Sequence, residues 1–152
     1  MRSYVDVLGE KVWLGHPCRI ASVSTTQENN PIHSDAVCLG VGLTKAVAGA
    51  CARLGPGDQI AQTVCDLNGE PYRADEFGYT VVRTSQYFRQ ATDVDTPADC
   101  WGDMGAASGP LFLGLSAIAA RKRYAKGPWS VAWASSESGY RSCALLNLPL
   151  ES

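Results

Sequence analysis

A helix that is apolar on every side belongs in the interior of a structure, and this sequence carries one. The segment GAASGPLFLGLSAIAARKRYAKG, residues 105–127, has helical character, and Leu111, Phe112, Leu113, Leu115 and Ile118 surround its axis instead of forming a stripe. Its other positions are small: Gly105, Ala106, Ala107, Ser108, Gly109, Gly114 and Ala117. Small side chains let a second backbone come close, so Gly105, Ala106, Gly109, Leu113 and Ala117 are the expected contact positions. The turn that opens the helix, CWGDMGAASG at residues 100–109, is rich in Gly and Ala. The first amides of a helix point outward unpaired, so this turn either holds a ligand or lets the helix pack closely.

The elements around it alternate. EKVWLG and CRIASVS read as two strands split by His16-Pro17, followed by a polar loop, Thr25 to Asp35. Ser34 or Asp35 is placed to cap a helix in AVCLGVGLTKAVAGACARLG, whose Leu39, Leu43, Val47, Ala50 and Leu54 recur at helical spacing. GPGD stops it, and QIAQTVCD, Gln59 to Asp66, reads as a strand ending in the sharp turn LNGEP. A second helix follows Pro71, with Phe77, Val81, Val82 and Phe88 roughly on one face. TPADCW reads as a short strand. WSVAWAS alternates Trp129, Val131 and Trp133 as a half-buried strand does, and SESG returns the chain into YRSCALLNL as a hairpin. Strands and helices in alternation, closed by a hairpin, define an α/β layered architecture in one domain spanning residues 1–152.

Composition narrows the functional classes. Apolar residues make up 45% and charged residues 18%, so a packed core is possible, and the net charge of −2 argues against nucleic acid as a partner. The basic cluster RKRYAK, Arg121 to Lys126, sits at a helix end, where it complements the helix dipole. The N-terminus has no apolar signal region and no stretch is long enough to span a bilayer, so the expectation is a cytoplasmic protein without membrane contact. Six cysteines form no C-x-x-C pair, and there are two histidines. That pattern argues against zinc and for reduced, mostly buried thiols, with no metal or cofactor expected.

From about residue 17 to its end the chain resembles the C-terminal half of the thiolase-like fold of β-ketoacyl-carrier-protein synthases. In the family two similar βαβαβαββ halves stack their sheets around a central helix layer. GDMGAASG stands where the family opens its central helix with a motif like G-H-x-x-G-A-A-G. CDLNGE stands at the family's H-G-T-type loop, and SVAWASSESGYRSCALL resembles its closing hairpin. The resemblance implies half of a thiolase-like fold, with a mixed sheet and a central apolar helix.

The family's enzymes take a cysteine nucleophile from the N-terminal half and two histidine donors from the C-terminal half. Here Cys65 or Asp66 stands near the first histidine position and Asp103 near the second. An ionised carboxylate accepts hydrogen bonds, donates none, and repels an oxyanion. Cys65, Asp66, Asn68, Cys100 and Asp103 are therefore candidates for a vestigial site. Cys65 has an aspartate beside it, which raises a thiol pKa, and reads as a packed strand-end residue. Cys100, near a helix N-terminus, is the better reactive thiol, and Asp103 reads as a helix cap. His16 and Cys18 are two apart in GHPCR, but Pro17 interrupts the strand and their pairing reads as coincidence; His33 reads as exposed. Amides around Gly102, Gly105 and Ser108 can bind a phosphopantetheine or a carboxylate, although the spacing is neither a Walker loop nor a dinucleotide fingerprint.

Three functions fit. The first is a non-catalytic module, an assembly subunit or adaptor working through protein–protein contacts, and the missing histidines favour it. The second is an acyltransferase of the 3-oxoacyl synthase type, active once a partner half supplies the nucleophile. The third is an acyl- or carrier-protein-binding domain. In each, a homodimer or a protein supplying the missing half is expected to cover the central helix.

Overall fold

The computed structural model of the chain describes the backbone of residues 3–5 and 11–13 and all of residues 18–148. A two-stranded antiparallel ribbon, β1 (Ser3–Val5) and β2 (Lys11–Trp13), comes first. His16, weighed as a partner for Cys18, lies outside the described residues. Then follow β3 (Arg19–Gln27), α1 (Val41–Cys51), β4 (Gln62–Cys65), α2 (Pro71–Thr84), β5 (Val94–Asp95), α3 (Ala98–Trp101), α4 (Ser108–Arg121), β6 (Trp129–Ser135) and β7 (Tyr140–Asn147). The five longer-range strands form one sheet in the order β3-β7-β6-β4-β5. Here β7 is antiparallel to both its neighbours, while β6, β4 and β5 run parallel. The expected strand–helix alternation and closing hairpin are thus present.

Alternate residues of each strand feed two cores. Cys65, Val131, Trp133, Cys143 and Leu145 join Leu43, Val47 and Cys51 of α1 on one face. Phe77 of α2 lies against Trp133, ring centroids 6.2 Å apart, so α2 completes that layer. On the other face Val64, Ala132, Leu146 and Leu148 meet Phe112, Leu111 and Leu115 of α4. Because Ser130 and Ala132 are buried as well as Val131 and Trp133, β6 is covered on both faces, not half-buried as its alternation suggests.

Several boundaries differ from the sequence reading, each for a local reason. The chain from Thr25 is not yet a loop: Thr26 and Gln27 still pair with Arg141 and Tyr140. α1 begins at Val41, because Gly40 takes a left-handed φ of 64°. Its cap is neither Ser34 nor Asp35. Glu28, at the end of β3, accepts from the Gly42 amide at 2.6 Å, while the Ser34 hydroxyl accepts from Ala36 in a turn. The buried positions of α2 are Glu76, Thr80, Val81 and Thr84, whereas Val82 is exposed. TPADCW is not a strand. Val94–Asp95 is, and the segment after it turns into α3, where Thr96 bonds the Asp99 carboxylate. The helix expected over 105–127 is a 3-10 turn, Gly105–Ala107, followed by α4, and it stops before Arg123 at φ 64°.

Candidate functional site

Strand β4 delivers Cys65 and Asp66 to opposite fates, because successive side chains point to opposite faces. Cys65 enters the core beneath α1 and α2 with no exposed surface. Burial pushes its thiol up to about 12, and the charges of Asp66, Asp95 and Asp99 add to that. A thiol so held is inert as a nucleophile at neutral pH. Asp66 leaves the strand end and ties three elements together. Its Oδ2 accepts from the Ser135 amide at the end of β6, at 2.5 Å, and lies 2.7 Å from the Arg73 guanidinium on α2. Desolvation raises the Asp66 pKa, with Arg73 pulling the other way.

Arg73 is the residue that sequence reasoning missed. It also meets Glu70 at 3.1 Å and approaches Asp103 at 3.9 Å. Asn68 donates to Glu70 at 3.0 Å and to Asp103 at 3.3 Å. The structure therefore brings Asp66, Asn68 and Asp103 together around one guanidinium and leaves Cys65 outside. The signal available in the sequence was a lone arginine one turn into a helix, just after DLNGE.

Asp103 works as a cap of a different segment than expected. Its Oδ1 accepts from the Gly105 amide at 2.7 Å, so it caps the 3-10 turn and not α4 itself. Cys100 sits exposed on α3, a separate single turn, and not at the start of α4. Of the expected ligand positions, Gly102 and Ser108 line a cavity with Asp66, Pro97, Ala98, Asp103, Met104 and Phe112, whose volume is about 10 Å³. An enclosed space of that size holds one water at most. Gly105 is exposed on the 3-10 turn beside it.

A second buried cluster was not foreseen. Arg141 of β7 is 1% exposed and donates to Glu76 at 2.6 Å, to the Tyr72 hydroxyl at 2.7 Å, and to the Ser136 and Tyr140 carbonyls. Tyr72 in turn donates to the Asn30 carbonyl at 3.0 Å. Ligand atoms of Glu28, Cys38 and Glu76 lie within 4.8 Å of one another. Their donors are already engaged: Glu76 by a guanidinium, Glu28 by the α1 cap. A cation there would sit against Arg141, so the cluster reads as a structural clamp between β3, α1, α2 and β7. Arg141 falls on the face of β7 shared with Cys143 and Leu145. An arginine on the buried face of a strand was the sequence signal for it.

The α4 side of the sheet is open. α4 packs on β6 and β4, and beside it runs a groove of about 130 Å³ lined by Val23, Gly109, Phe112, Leu113, Ala132, Trp133, Ala134, Ser142 and Ala144. Ile20 and Val23 of β3 are 50% and 59% exposed. The expected contact positions divide accordingly: Gly109, Leu113 and Ala117, four residues apart, share the α4 flank toward this groove, while Gly105 and Ala106 belong to the 3-10 turn. Among the described residues no helix is long and apolar enough to cross a membrane.

This arrangement, one mixed sheet between two helices and a lone third, is half of a thiolase-like fold. The sequence matches no protein-family model and no curated protein. Solved structures place the fold. The ishigamide ketosynthase/chain length factor is similar over 87% of this chain and 36% of its own, with TM-score 0.57 and 20% identity. An oxazolomycin ketosynthase domain of Streptomyces albus JA3453 is similar over 87% of this chain and 46% of its own, with TM-score 0.58 and 11% identity. The chain thus spans less than half the length of these ketosynthases and shares their fold at that level.

Proposed function

We propose that the chain is a non-catalytic, thiolase-like module, corresponding to a C-terminal half, that acts as an assembly subunit or adaptor through the α4 side of its sheet. It works as a single domain in the cytoplasm. The observation that carries the reading is the pairing of the carboxylates at the vestigial site with Arg73. Near the positions where the resemblance calls for two histidine donors stand Cys65 or Asp66 and Asp103, and both carboxylates lie against Arg73. Carboxylates cannot donate to a developing oxyanion, and here they are engaged by a guanidinium instead. Cys65, the thiol nearest that site in sequence, is buried with its pKa raised. The open α4 side, by contrast, has the apolar character of a surface made to be covered.

A second reading keeps the ketosynthase chemistry and lets a partner half supply the nucleophile; the ketosynthase/chain length factor neighbour favours it. Assaying the purified chain with acyl and malonyl thioesters separates the two. The expected result is no condensation and no thiolysis. Turnover that disappears in Cys100→Ala or Asp66→Ala would overturn the non-catalytic reading.

A further inference from the structure

We infer that the end of the sheet away from Asp66 and Asp103 is a docking surface for an acidic partner protein, whose carboxylates meet an arginine-rich patch around the C-terminus of α4. This surface is separate from the α4 side of the sheet, and the inference stands whether or not that side is covered.

The charges of the described residues divide between the two ends of the sheet. β3, β4 and β6 start at one end, where Arg19 and Trp129 both stand opposite Asn147, and Gln62 stands opposite Ser130. The C-termini of α1 and α4 return the chain to that end. It carries Arg19, Arg53, Arg89, Arg121, Lys122, Arg123 and Lys126, all exposed, against Asp58, Asp93 and Asp95. The other end carries the exposed carboxylates Asp35, Glu70, Asp75, Asp99, Asp103 and Glu137. Its arginines, Arg73 and Arg141, are engaged by Asp66 and Glu76. A chain of net charge −2 thus presents one basic end, and it is the end opposite the vestigial site.

The helix dipole accounts for only part of this. A cation complements the dipole within the last turn, which covers Arg121. The terminal carbonyls of α4 are already held by backbone: Ile118 accepts from the Lys122 amide, Ala120 from Arg123, and Ala119 from Tyr124 and Ala125. Lys122, Arg123 and Lys126 therefore follow a helix end that needs no side-chain cap. Arg123 takes φ 64°, a conformation that favours glycine, and it is the one non-glycine among the described residues with a positive φ. Arg89 comes from outside the segment altogether, between α2 and β5.

The patch is held in place. Arg89 Nη2 donates to the Lys126 carbonyl at 3.1 Å, and the Lys126 ammonium lies against Asp93 and, at 3.9 Å, Asp95. Just beyond, a Cβ on Gly127 would stand 2.5 Å from the Ala61 Cβ, so the backbone there is pressed onto the approach to β4. A segment fixed in this way loses little freedom on binding. Tyr124 is 72% exposed among these cations. Arginine and tyrosine are the side chains on which protein interfaces concentrate their binding energy, and the guanidinium fork matches a carboxylate where an ammonium is only a point charge. The net charge and the acidic far end oppose an extended polyanion such as nucleic acid or a lipid sheet, and favour a partner small enough to sit on one end. A second copy could offer its acidic end, but a head-to-tail contact of that kind does not close and builds fibres.

A short fluorescent polyglutamate peptide, titrated with the full chain at low salt, should bind, and the binding should fade as salt rises. Arg121→Glu/Lys122→Glu should weaken it about ten-fold, and the neutral pair Arg121→Gln/Lys122→Gln by less, while both proteins keep a cooperative melt. Lys45→Glu, which changes an exposed cation outside the patch, should leave it unchanged. Carbodiimide coupling, which links a lysine amine to a carboxylate in contact with it, should attach the peptide at Lys122 and not at Lys45, a readout independent of how the variants fold. Absence of binding at low salt overturns the inference, as does binding that the charge reversal leaves intact, or coupling at Lys45 instead. Tighter binding to duplex DNA or to phosphatidylserine vesicles, lost in the same reversal, overturns it in favour of a nucleic acid or a lipid surface. Self-association of the chain that the reversal abolishes overturns it in favour of a second copy. Each of these results leaves the non-catalytic reading in place, which thioester turnover tests by itself.

Discussion

Under α1 the sheet and helix are so close that backbone touches side chain: Ser22 and Thr26 of β3 donate to the Ala50 and Gly42 carbonyls at 2.6 and 2.7 Å. Under α4 the contacts are between large side chains, Phe112 and Leu111 against Val64 and Leu146, and Ile20 and Val23 of the edge strand β3 stay exposed. Both helices are apolar and rich in glycine and alanine, so composition does not separate them. What separates them is the use of the small residues. On the α1 side they are consumed by packing within the chain and the face is sealed at its rim by the Arg141–Glu76 clamp. On the α4 side they are unused, and the face is unsealed.

The clamp is where that contrast is most easily broken. Arg141→Ala should cost about 3–5 kcal/mol, because it leaves Glu76 buried without its partner. The double variant Arg141→Met/Glu76→Leu should recover most of that loss. Urea denaturation of the three proteins decides, and a mild single variant would mean that water reaches the clamp. The glycines sharpen the contrast next. Gly42→Ala pushes a methyl into the Glu28 backbone and should cost roughly 1–3 kcal/mol. Gly114→Ala, where a Cβ meets nothing within 4 Å, should add about 0.5–1 kcal/mol. Equal effects of one sign, read from the shift in melting, would remove the distinction between the two helices. Smallest is the cap at the mouth of α4. Asp103→Ala should cost about 0.5–1 kcal/mol and Asp103→Asn less, since the amide oxygen still accepts from Gly105. An unchanged melt for Asp103→Ala would leave Asn68 and Arg73 as the partners that matter to that carboxylate.

The sequence reading reached the alternation of strands and helices and the closing hairpin, because each is written in local periodicity, but α4 covers one face of the sheet with Ile118 exposed. It also gathered Asp66, Asn68 and Asp103 as one site. It missed what joins residues far apart in the chain. Arg141 finds Tyr72 across 69 positions, and Asp66 finds the Ser135 amide across another 69. No local pattern announces such pairs. The start of α1 was misplaced for the same reason: its cap, Glu28, lies 14 residues from the amide it holds. In α2 the buried stripe is polar, Glu76, Thr80 and Thr84, so a search for apolar periodicity selected the exposed Val82 instead.

The pairing of β3 with β7 has a consequence for synthesis. β3 is made early, at residues 19–27, and its partner in the register is residues 140–147. A nascent chain therefore carries β3 with no partner in this sheet until β7 has been made, and α1 has only half its floor until then. Loops of that span close slowly, and unpaired strand edges invite wrong partners meanwhile. A ribosome stalled short of β7 would display a chain that contains α1, α2, α3 and α4 and yet has no finished sheet.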